Sequence, residues 1–120
     1  LKNQAKETIE NKVEETKEEI NKALEEKRKA ILDAAQKQAD AVKAKAKEAG
    51  DKLISEANKQ GQKLIAEAGS NPLKKKAAEL AADKLNKEAK EKADKLNREA
   101  EEKAKKIMNE ARERASKVQV

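Results

Sequence analysis

Of the side chains able to do chemistry, this sequence offers almost only carboxylates and amines: 24 Asp and Glu and 30 Lys and Arg, with no Cys and no His. A carboxylate works as a general acid or base when apolar surroundings tune its pKa, and none of these is flanked in that way. The missing Cys and His exclude disulfides, thiolate chemistry and the common zinc sites. No phosphate loop, nucleophile motif or metal-ligand spacing occurs. The reading is therefore a protein that is not an enzyme, with no catalytic, cofactor-binding or metal residues and no cofactor.

Two polar features could still make contacts. Lys74, Lys75 and Lys76 place three positive charges at the start of a helix, where the macrodipole disfavours them, so they are either a solvated tip or a contact for an anionic surface. Asn86 and Asn97 recur eleven residues apart and read as polar residues at the edge of a helix seam. Specific nucleic-acid binding is not expected, because aromatic stacking residues are absent and only four of the 30 basic residues are Arg. Net charge is +6 but uneven. Residues 1–26 hold five Lys against eight Glu, and residues 69–120 hold fifteen Lys or Arg against ten Asp or Glu.

The elements that must position these residues are helices. At 45% charged, 36% hydrophobic and 0% aromatic, with Ala supplying most of the apolar share, the chain cannot build an ordinary globular core. It can bury a narrow stripe against a neighbouring helix. Large apolar residues follow one register, Ile9, Ile20, Ile31, Val42, Leu53 and Leu64, each eleven after the last. A second series four residues on includes Ala35, Ala46 and Ala57, and a third, three residues before the first, includes Ala39, Gly50 and Gly61. Eleven residues in three turns is about 3.67 per turn, so such a stripe gives a straight or weakly right-handed supercoil.

The one strong break is Gly69-Ser70-Asn71-Pro72. Gly69 can close a helix in the left-handed conformation, Asn71 can cap the next, and Pro72 suits its first position. Beyond it the pattern restarts in a shifted register with Leu85, Leu96 and Ile107, followed four residues later by Ala89, Ala100 and Ala111. The predicted fold is all-α: a long antiparallel two-helix hairpin with helix 1 to residue 68, a turn at 69–71 and helix 2 over 72–118.

Folding back there makes facing residues sum to about 142 and matches large against small. Leu64 faces Ala78, Ala57 faces Leu85, Leu53 faces Ala89 and Ala46 faces Leu96. Val42 faces Ala100, Ala35 faces Ile107 and Ile31 faces Ala111. Between them lie Gly50 with Ala93 and Ala39 with Ala104. Tracing the third series back gives Arg28, Lys17 and Lys6, so small seam residues give way to charges where the second helix runs out. Residues 23–120 then form the hairpin, paired over ~70 Å, and residues 1–22 overhang by ~30 Å as a helix or tether.

The overhang keeps an apolar line, Ile9, Val13, Thr16, Ile20 and Ala23, and a lone helix of this kind is marginal in water. It either self-associates or leads to something upstream of Leu1. Ile54 and Ile65, beside the main stripe, widen the apolar face and could give a second self-association surface, making a four-helix bundle from two hairpins. The partners expected are a second copy of the chain, as a dimer, or another helical protein, with peripheral contact to an anionic surface. No run of residues is long and apolar enough for a membrane span.

The segments Gly50-Asp-Lys-Leu-Ile-Ser-Glu-Ala, Gly61-Gln-Lys-Leu-Ile-Ala-Glu-Ala-Gly-Ser-Asn-Pro-Leu and Ala82-Asp-Lys-Leu-Asn-Lys-Glu-Ala resemble Ala-rich hendecad helices of bacterial envelope proteins. Those families include small Bacteroidota lipoproteins and the C-terminal tails of AsmA-like proteins. The resemblance spans residues ~39–118 and implies a periplasmic or outer-membrane-attached helical element, while the residues themselves leave the cytoplasm open. Ala44-Lys45-Ala46-Lys47-Glu48-Ala49-Gly50 is similar to late-embryogenesis-abundant proteins of the eleven-residue type, which implies stress-protective binding to lipid surfaces or client proteins. Helical-hairpin chaperones of the periplasm are a third comparison.

Overall fold

The computed structural model describes residues 2–119; Leu1, where the expected N-terminal segment begins, lies outside the described residues. The fold is all-α, with helix α1 (Lys2–Ala68) and helix α2 (Pro72–Ser116) joined as an antiparallel hairpin. Ala, Lys, Glu and Leu, strong helix formers, fill both helices, and the single Pro stands at the first position of α2.

The turn is built from local signals. Gly69 takes φ +65°, a left-handed conformation that costs a side-chain-bearing residue ~1–2 kcal/mol, and its N–H donates to the Ala66 carbonyl at 3.3 Å. The Asn71 Oδ1 accepts from the backbone N–H groups of Leu73 at 3.0 Å and Lys74 at 3.3 Å, which satisfies two donors that the first turn of α2 would otherwise leave orphaned, Pro72 having no N–H to satisfy. The Asn71 carbonyl accepts the first regular helical bond, from Lys75 at 2.9 Å.

At its other end α2 stops at Ser116, two residues before the expected 118. The Lys117 and Val118 N–H groups turn to the carbonyls three residues back, at 3.2 Å each, and the Ser116 hydroxyl donates to the Glu113 carbonyl at 2.6 Å. Hydroxyl competition for a helical carbonyl and a tightened last turn end the helix there.

The chain divides into two compact units. One, Gln38–Lys106, contains the turn; the other comprises the described parts of Leu1–Lys37 and Ile107–Val120. In the unit holding the turn, two glycines stand close against alanines. A methyl carbon on Gly50 would lie 3.0 Å from the Ala93 Cβ, and one on Gly61 would lie 2.9 Å from the Ala82 Cβ. Gly50 does face Ala93, as counting back from the turn requires.

Burial follows from that closeness. Among the described residues the buried apolar side chains are all alanine: Ala39, Ala57, Ala82, Ala89, Ala93, Ala100 and Ala104 in the unit with the turn, and Ala35, Ala111 and Ala115 in the other. Among the same residues no large side chain is fully buried and no polar or charged one is buried. Val42, Leu53, Leu85 and Leu96, expected to fill the seam, are half-buried, as are Ile31 and Ile107 in the other unit. Backbones held this near leave no room for a Leu between them. The larger side chains therefore lie along the sides of the contact and cover it.

Candidate interaction surfaces

Among the described residues no apolar side chain larger than alanine is fully buried, so the surfaces able to engage something else are defined by the large apolar residues left most exposed. The first lies on the N-terminal part of α1. Residues 4–19 are exposed throughout, Ile9 at 63% and Val13 at 48%, and Ile20 and Leu24 are half-buried. Ile9, Lys12, Val13, Thr16 and Lys17 line a shallow groove of about 330 Å³. The Thr16 hydroxyl donates to the Lys12 carbonyl at 2.9 Å, so its polar group is satisfied within the helix and its methyl is available for packing. The Thr8 hydroxyl makes the equivalent bond to Gln4 at 2.8 Å.

An open cleft of about 520 Å³ adjoins this line, among Ile20, Ala23, Leu24, Glu26, Lys27 and Gln119. Sequence reasoning missed its far wall, because Gln119 lies beyond the end of α2 and carries no periodic signal. What holds the tail is Arg28, whose guanidinium donates to the Val118 carbonyl at 3.3 Å. The charge that replaces a small residue in the seam series thus has a use: it caps a carbonyl that the ending helix leaves unpaired.

The second surface is near the turn. Leu73 is 83% exposed and Leu80 63% exposed, seven apart on one face of α2, and Leu64 on α1 is exposed as well. Lys74, Lys75 and Lys76 are all exposed beside them. Ile54 and Ile65 are half-buried, as is Ala46.

Asn86 and Asn97 are both half-buried. The Asn86 Oδ1 is shielded from solvent and accepts no hydrogen bond. Glu113 and Lys117 approach to 3.8 Å with both side chains largely exposed, an arrangement of little energetic weight. Among the described residues no helix is long and apolar enough to cross a membrane. Comparison with protein-family models, with curated proteins and with solved structures finds no match to this chain.

Proposed function

We propose that this chain is a non-enzymatic structural element, a scaffold or spacer of the bacterial cell envelope that acts through helix–helix interaction with a second copy or with another helical envelope protein. The observation that supports it most is the composition of the interior. Among the described residues ten alanines and two close-approach glycines are buried, and no large side chain is fully buried. Each buried methyl contributes only ~0.8 kcal/mol, so the stability of such a pair comes from repetition along the helices. That suits an element whose job is to hold a distance and present its outer faces. The envelope location rests on the hendecad resemblance.

The exposed Leu73 and Leu80 beside Lys74, Lys75 and Lys76 favour a second reading, an amphipathic-helix module for lipid surfaces or client proteins. Circular dichroism of the free chain, with and without vesicles of mixed zwitterionic and anionic phospholipid, separates the two. The scaffold reading expects full helicity and a cooperative melt in plain buffer, unchanged by vesicles. A coil that becomes helical only on the anionic vesicles would overturn it in favour of the module.

A further inference from the structure

We infer that the exposed apolar line of α1 is a self-recognition site that pairs antiparallel with the same line of a second copy, in one register centred between Glu14 and Glu15. The inference rests on the scaffold reading and names its partner. Ile9, Val13, Thr16 and Ile20 are spaced four, three and four, the seam of a two-stranded coil. Antiparallel pairing about that centre sets Ile9 on the second copy's Ile20 and Val13 on the second copy's Thr16, with the same two layers repeated by symmetry. Such an interface is isologous, one patch meeting itself. No polar group in its centre is left unsatisfied, since the Thr16 hydroxyl already bonds the Lys12 carbonyl.

The charges flanking the line select the orientation and the register. Immediately after Ile9 and Thr16 stand Glu10 and Lys17; immediately before Val13 and Ile20 stand Lys12 and Glu19, and all four are exposed. In the centred antiparallel pair, Glu10 lies beside the second copy's Lys17 and Lys12 beside the second copy's Glu19, each within about 3 Å of level along the axis. Symmetry repeats both, so every flanking contact joins opposite charges.

The alternatives fail on the same residues. A parallel, in-register pair sets Lys12 beside the second copy's Lys17 on both sides. Sliding the antiparallel pair by seven residues one way opposes Lys12 to Lys12 and Glu10 to Glu10; sliding it the other way opposes Glu19 to Glu19 and Lys17 to Lys17. Attraction in one arrangement and repulsion in its competitors is how flanking charges specify a coiled-coil partner.

A contact of about twelve residues per chain falls below the size of a standard stable interface, so the association is expected to be weak and is sought at roughly 10 µM to 1 mM protein. Sedimentation equilibrium across that range, at low and high salt, should show a monomer–dimer equilibrium weakened about tenfold by screening. Two charge variants sharpen the test. Lys12→Glu with Lys17→Glu makes the flanks wholly acidic, and Glu10→Lys with Glu19→Lys makes them wholly basic. Each alone should stay monomeric, and a mixture should dimerise.

Orientation is read with cysteine, absent from the natural sequence. Under oxidation an Ile9→Cys chain should crosslink to an Ile20→Cys chain and not to itself. Self-crosslinking of the Ile9→Cys chain, self-association of either charge variant, or a monomer at the highest concentration would each overturn the proposal. Melts of the same samples keep its failure apart from that of the scaffold reading. A fully helical, cooperatively melting monomer loses only the self-pairing.

Discussion

Replacing Gly61 by alanine sets two effects of opposite sign against each other. Alanine in a helix interior is favoured over glycine by roughly 0.5–1 kcal/mol, through backbone entropy alone. The new methyl would lie 2.9 Å from the Ala82 Cβ and 3.4 Å from the Ala82 Cα. Carbons prefer about 3.5–4.0 Å, so the helices must part by about 0.6–1.1 Å at this layer. Neither partner atom is the end of a flexible side chain that could swing aside. Overpacking of this kind costs about 1–3 kcal/mol, which outweighs the helical gain and leaves a net loss of about 1 kcal/mol. At this chain size that lowers Tm by about 4 °C.

The assay is thermal unfolding followed by far-ultraviolet circular dichroism, at low protein concentration and high salt to suppress association. Gly61→Ala combined with Ala82→Gly is the control, because it moves the methyl across the contact without changing the number there, and helix propensity cancels. The double variant should recover most of the lost stability, a coupling expected of residues in direct contact. If Gly61→Ala alone raised Tm by the amount that helix propensity predicts, the close-approach reasoning would be refuted.

Other substitutions test separate parts of the structure. Asn71→Ala removes the acceptor for the Leu73 and Lys74 N–H groups and should cost about 0.5–2 kcal/mol in the same melt. Asn86→Ala should do the opposite and stabilise by about 1 kcal/mol, since it removes a shielded oxygen with no donor and substitutes a better helix former.

The turn was legible in the sequence because Gly69, Asn71 and Pro72 act through the local backbone, where residue type alone decides. Facing residues such as Gly50 and Ala93 followed by counting back from it. What the sequence did not reveal is which series lies deepest. Size ranking points to Leu53, Leu85 and Leu96, yet the buried positions belong to alanine. Depth is set by how near two backbones come, and that distance belongs to the pair and not to either helix. The end of α2 was misjudged for a related reason. Val118 continues the apolar period, but period says nothing about the Ser116 hydroxyl that draws off the Glu113 carbonyl. The exposed line at Ile9 and Val13 could be read directly, since charges stand where small residues would be needed to admit a neighbour.

In the unit with the turn, the buried alanines of α2 advance in alternating steps of seven and four, Ala82, Ala89, Ala93, Ala100 and Ala104, so the contact there returns to itself every eleven residues. A chain built this way has a unit of currency for its own length. Removing eleven residues from each helix, or adding eleven to each, leaves every remaining layer facing the partner it had before. An insertion in only one helix would instead shift all layers beyond it by a full repeat, and alanine would again meet alanine or glycine there. This unit is thus graduated like a ruler, and the short turn at Gly69 is the zero mark from which both scales are read.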